Sequence, residues 1–149
     1  MKLPEKYLTE ALDTVYRILD ANINRLREAL RVIEEYFRFI KNDSEISITF
    51  KSIRHSLVQV EMRFGREILL KNRDTVTDCF SDSNRPEELF RESKNDIVYA
   101  GFKRAQEAAR VIEEYSKITS ESSLSEKFKK VRFSLYKLEK QFWESENHG

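Results

Sequence analysis

Four arginines, Arg25, Arg54, Arg104 and Arg132, fall within or beside the apolar arcs of their helices when residues are advanced by about 100° each. Four glutamates, Glu28, Glu61, Glu107 and Glu139, share those arcs. A guanidinium is a planar fork of donors that grips phosphate or carboxylate through two hydrogen bonds at once. A charge directed inward without a partner is strongly destabilising. Two readings follow. The set is a sign-balanced network of structural ion pairs, or some of the arginines face a cavity and hold phosphate while a glutamate such as Glu61 orients them. On the same phasing Arg27, Arg31, Glu34 and Arg38 point to solvent.

A second group sits where the helical period stops. Arg73-Asp74-Thr75, with Asp78 four residues past Asp74, places two carboxylates and a guanidinium in one polar stretch. Mg²⁺ is commonly held by one or two carboxylates together with substrate oxygens. The competing reading is a helix C-terminal cap with loop hydrogen bonds. No Walker A loop, GxGxxG or Cys/His cluster with metal-ligand spacing occurs in the sequence. His55 lies off the apolar arc, His148 is in the tail, and Cys79 has no base in its local sequence.

The elements that carry these groups come in duplicate. Asp20 to Tyr36, DANINRLREALRVIEEY, returns as Ala100 to Tyr115, AGFKRAQEAARVIEEY, with RVIEEY identical. Phe50 to Phe64 returns as Phe128 to Phe142, so the offsets are 79 and 78 residues. A repeat of this length sets the architecture before any single element does. Leu26, Ala29, Leu30, Ile33, Tyr36, Phe37 and Ile40 follow the i, i+3, i+4, i+7 pattern of an amphipathic helix running from a Thr9 cap to about Lys41. A second helix is expected over about 45–71, with Gly65 inside it, and helices of the second copy over about 96–118 and 125–145. Pro86 followed by two glutamates reads as a helix start, and the final ENHG as a frayed end. The prediction is an all-α fold of two tandem αα-hairpins with pseudo-two-fold symmetry, forming a four-helix bundle. Repeat one spans about 9–71, a loop about 72–86, and repeat two about 87–145 of one domain, 1–149.

Composition agrees. With 3 glycines and 2 prolines there is little turn material for a sheet, and 36% charged residues suit long helices with solvated faces. A net charge of +1 gives no basic footprint for nucleic acid. One cysteine fits a reducing compartment, and neither a membrane-length apolar run nor a signal-peptide core is present. The expected location is the cytoplasm.

These segments resemble a family. ILDANINRLREALRVIEEYFRF is similar to the pattern DANxNRxREGLRVxEDxxRF, and Lys51 with Arg54-His55 is similar to a K-x-x-RH segment. Arg73-Asp74-Thr75 resembles an RDT-x-x-D-x-G loop, and AGFKRAQEAARVIEEYSK resembles AN-x-KRxQEALRVLEEYxK. The family is the all-helical hydroxymethylpyrimidine phosphate kinase of thiamine biosynthesis, which occurs fused to thiamine-phosphate synthase. The resemblance implies ATP-dependent phosphorylation of hydroxymethylpyrimidine phosphate, with Mg²⁺ and ATP. For such a reaction the side-chain chemistry assigns the roles, and Arg25, Arg54 and Arg104 are expected to be catalytic. Asn22, Glu28, His55, Arg73, Glu107 and Arg132 are expected to bind substrate, and Asp74 and Asp78 the metal. The chain departs from the pattern at Ala29, at Gly101 in place of Asn, and at the DCF that lacks the loop glycine. A (β/α)₈ synthase domain needs about 250 residues, so none is expected within these 149. The alternative is a non-catalytic helical module that associates with thiamine-phosphate synthase or forms a homodimer.

Overall fold

The computed structural model describes residues 5–82 and 89–148, with side chains over 12–82 and 89–147. Among the described residues the secondary structure is helical throughout. In chain order it runs α1 Glu5–Glu35, a π-helical turn Tyr36–Ile40, α2 Ser44–Phe64, α3 Arg66–Lys71, α4 Lys94–Ser116 and α5 Leu124–His148. α1 and α4 form the central pair, with α2 packed on α1 and α5 on α4. These are the two expected hairpins, α1–α2 and α4–α5, arranged as a bundle. No helix among the described residues is long and apolar enough to cross a membrane.

Local chemistry sets most of the helix ends. Asn42 takes a left-handed φ of 53° to end the π-helical turn, a conformation Asn tolerates better than most residues. The Asp43 carboxylate then accepts from the N–H of Ile46 at 3.0 Å and starts α2. Ser93 does the same for α4 by accepting from the N–H of Asp96 at 3.2 Å. Gly65, with φ 102°, separates α2 from α3, so this glycine ends a helix instead of bending one. Two other boundaries differ from expectation. Helix α1 begins at Glu5, ahead of the Thr9 cap, and α5 continues through the tail to His148. The helix start read at Pro86 lies outside the described residues.

The core is drawn from both copies. Leu26, Leu30 and Ile33 of α1 and Phe102, Ala105 and Ile112 of α4 are fully buried. So are Phe50 and Leu57 of α2 and their repeats Phe128 and Leu135 of α5. Each large apolar side chain of this kind contributes roughly 1.5–3 kcal/mol by leaving water. The rings of Phe37, Phe50, Phe102 and Phe142 knit the four helices together, with Phe37 stacked on Phe50 at 5.9 Å and Phe50 edge-on to Phe102 at 5.8 Å. Helix α4 reaches α1 closely at Gly101, where a Cβ would stand 2.9 Å from Cγ1 of Ile33.

Candidate functional site: an arginine–glutamate cleft between α1 and α4

The close approach at Gly101 floors a cleft of about 790 Å³ on the open side of the α1–α4 pair. Ala29, Gly101 and Ala108 bring small side chains to it, and Val32 and Ile97 add apolar surface. Arg25 and Glu28 enter from α1, and Arg104 and Glu107 enter from α4. At an offset of 79 these are the same two residues used twice. Asn22 is buried at the cleft, donating to the carbonyl of Ile18 at 2.9 Å and accepting from Arg25 at 3.5 Å. Gly101 stands at its repeat position, so Arg104 has no such neighbour. Five of the predicted residues, Asn22, Arg25, Glu28, Arg104 and Glu107, therefore meet here. Three guanidinium groups, with Arg91 joining Arg25 and Arg104, and two carboxylates around a narrow apolar floor suit a ligand with anionic oxygens for the arginines and N–H donors for the glutamates.

Arg54 and Arg132 are elsewhere, as are His55 and the expected pairing pattern. Each arginine makes a two-pronged ion pair with a glutamate predicted to face solvent or left unassigned. Arg54 donates to Glu34 at 3.1 and 3.4 Å, and Arg132 to Glu113 at 2.8 and 3.3 Å. Glu34 and Glu113 are buried, at 2% and 4% exposure. The Arg132 guanidinium, with help from Arg110, holds the Glu113 carboxyl below its ordinary value. Glu61 takes Arg27, and its repeat Glu139 takes Lys103 and Gln106. Arg25 and Arg104 are exposed and are not within ion-pair reach of the inward glutamates, which corrects the expectation that all four arginines pair there. His55 is exposed on α2. The networks are complete: among the described residues no buried side-chain nitrogen or oxygen lacks a partner.

The loop after α3 forms a second concavity of about 400 Å³, which shares Glu28 with the cleft. Arg73 is spent on Asp20, donating at 2.7 and 2.8 Å, and so fastens the loop to α1. Asp20 is buried, and Arg17 donates to the carbonyl of Asp74 at 2.8 Å; neither residue was singled out, although Asp20 heads the DAN segment. The Asp74 carboxylate accepts from the N–H groups of Val76 and Thr77, both at 3.1 Å, and from the Thr77 hydroxyl. The Thr77 hydroxyl is the main reason its carboxyl is held below the ordinary value. Asp78 accepts from the N–H of Phe80 at 3.0 Å. Among the described residues no group of three or more His, Cys, Asp or Glu side chains could hold a metal ion. Asp74 and Asp78 are each engaged in turns of this loop.

An internally duplicated helical bundle with an arginine–glutamate cleft on its symmetry seam is the class of protein these features define. The chain belongs to the ThiD2 family, whose pattern it matches over residues 17–141. It is 44% identical over 123 residues to the thiamine-phosphate synthase of Thermosynechococcus vestitus, covering 83% of this chain and 34% of that one. The thiamine-phosphate synthase of Gloeobacter violaceus is 41% identical over 125 residues, covering 84% and 35%. That of Nostoc punctiforme is 34% identical over 145 residues, covering 97% and 40%. The chain thus spans little more than a third of the length of the curated relatives it matches. No solved structure matches it significantly. These findings place the chain in a thiamine-biosynthesis family. They correct the expected phosphomethylpyrimidine kinase activity: the relatives carry the name of a synthase, a different enzyme, and the alternative of a synthase-associated module accords with them better.

Proposed function

We propose that this chain is a non-catalytic helical module that associates with thiamine-phosphate synthase. The observation that carries the reading is the share of each relative it matches. Proteins named thiamine-phosphate synthase contain this region as about a third of their length, alongside roughly two thirds that this chain does not match. A module of this kind needs a stable fold and a surface, not a reactive group. The buried charges here are engaged in ion pairs that hold the helices together, which fits that need. The test is sedimentation velocity of the chain mixed with the thiamine-phosphate synthase of its own source. A complex heavier than either component is expected, and two independently sedimenting species at micromolar concentrations would overturn the reading.

The cleft favours a second element of the same role, the holding of a phosphorylated pyrimidine. Arg25 and Arg104 are exposed at its mouth, and among the described residues neither has a glutamate within ion-pair reach, which leaves both to meet an anionic group. Calorimetric titration with hydroxymethylpyrimidine phosphate checks this. Arg25→Ala and Arg104→Ala are each expected to weaken binding about tenfold or more, as loss of a charge-assisted contact does. Unchanged binding in both variants would remove the cleft from the account.

A further inference from the structure

The second helix of each hairpin turns an outer face to solvent: that of α2 carries the exposed Ile48, Val58 and Met62, and that of α5 carries aromatic rings among lysines. On α5, Phe133 and Tyr136 are 54% and 41% exposed and meet edge to face at 5.8 Å. Beneath them lies Arg132, whose guanidinium sits 5.0 Å from the Phe133 ring centre and 5.8 Å from that of Tyr136. That guanidinium is itself fixed by its ion pair to Glu113. The two rings are therefore held out on a rigid base. Around them on the same face stand Lys129, Lys130, Lys137 and Lys140, all exposed. Among the described residues the first three make no ion pair, and Lys140 reaches Glu144 only at 4.0 Å.

The other copy acts as an internal control. At an offset of 78, α2 carries the same arginine and the same ion pair, Arg54 with Glu34. Over it stand His55 and Val58, and the lysine positions read Lys51, Ser52, Gln59 and Met62. The fold is satisfied without aromatics or a lysine cluster at this place, so their presence on α5 answers to something outside the chain.

We propose that the Phe133–Tyr136 face of α5 is the docking surface for an acidic patch, with an apolar centre, on thiamine-phosphate synthase. This rests on the module reading above. Exposed aromatics held rigid lose little freedom on binding and serve as anchors, and a rim of one charge selects and steers a partner of the other. A second copy of this chain is a poor occupant for the same face, because four lysines would oppose four. Part of the synthase is the fitting occupant, since about two thirds of each matched relative lies outside the region shared with this chain.

The test is the dissociation constant of the intact chain with the synthase, by calorimetry at low and high salt. Phe133→Ser with Tyr136→Ser is expected to weaken binding about 30-fold, the loss typical of two central anchors. The triple change Lys129→Gln, Lys137→Gln and Lys140→Gln keeps the rings. It should slow association about tenfold at low salt, with the difference fading at high salt. Val58→Ser with Met62→Ser on α2 should leave binding within about twofold. Circular dichroism melts confirm that each variant is folded, and the lysine variant decides the matter if the aromatic one is not. A complex that forms but ignores both α5 variants overturns this surface while leaving the module reading in place. Absence of any complex with the wild-type chain overturns the module reading and this surface with it. Equal binding of the α5 face to anionic vesicles, to nucleic acid or to a second copy would assign it to another partner.

Discussion

RVIEEY occurs twice in this chain and ends in two ways. At the end of α1 the helix widens into a π-helical turn, and Tyr36 is buried at 6% exposure, its hydroxyl near Asn95 and Glu146, each at 3.3 Å. At the end of α4 the helix stops at Ser116 and Tyr115 is 40% exposed. Six identical residues thus make a joint between the repeats in one copy and a plain helix end in the other. What differs is the sequence that follows, YFRFI against YSKIT, and the presence of Glu146 and Lys41 to receive the tyrosine. The interior of the repeat was kept: Glu34 with Arg54 and Glu113 with Arg132. The margins diverged, and the margins are where the loop anchor, the cleft asymmetry and the lysine-rich face lie.

The largest test of that comparison is on the shared part. Glu34→Ala and Glu113→Ala each strand a mostly buried arginine and should each cost about 3 kcal/mol in urea unfolding. A large cost in one copy only would show that the two ion pairs are not equivalent. Next is the diverged pair in the cleft. Gly101→Val must move the fully buried Ile33 and should cost about 2 kcal/mol. Asn22→Ala at the matching position loses one good hydrogen bond and should cost about 1 kcal/mol. Smaller still, Tyr36→Phe should cost about 1 kcal/mol and Tyr115→Phe less than about 0.5 kcal/mol. Similar values for the two tyrosines would mean the joint at Tyr36 is incidental.

A final difference is a slope. The Glu113 carboxyl is held below its ordinary 4.5 by Arg132. A lowered folded-state value contributes stability that is present above pH 4.5 and is lost as the pH falls through the lowered value. Glu113→Gln should therefore flatten the stability profile below about pH 4.5 while leaving the loop carboxyl Asp74 to titrate. An unchanged acid limb would show that Glu113 is not set by Arg132.

The repeat and the helical class were legible because duplication and period are written directly in residue spacing. The ion pairs were misread for a definable reason. Taking Asn22 as the centre of the buried arc of α1 puts Arg25 inside and Glu34 outside. The fully buried Leu19, Ile23, Leu26, Leu30 and Ile33 centre about 60° further round. Helix α1 packs against both α2 and α4, so its buried face is wider than one stripe and takes in Glu34. The Asp20–Arg73 anchor spans 53 residues and has no local period to betray it. The loop carboxylates illustrate the remaining limit: spacing identified Asp74 and Asp78 as a pair, but only coordinates show them used as turn caps.

The most direct test of the account is zero-length coupling of amines to carboxylates in a mixture of this chain with thiamine-phosphate synthase, followed by peptide mass spectrometry. Such coupling joins a lysine only to an acid it already touches. Links to the synthase are expected from Lys129, Lys130, Lys137 or Lys140 of α5, and none from Lys51, the matching lysine of α2. Links from Lys51 in place of the α5 lysines, or no link between the two proteins at all, would contradict the account.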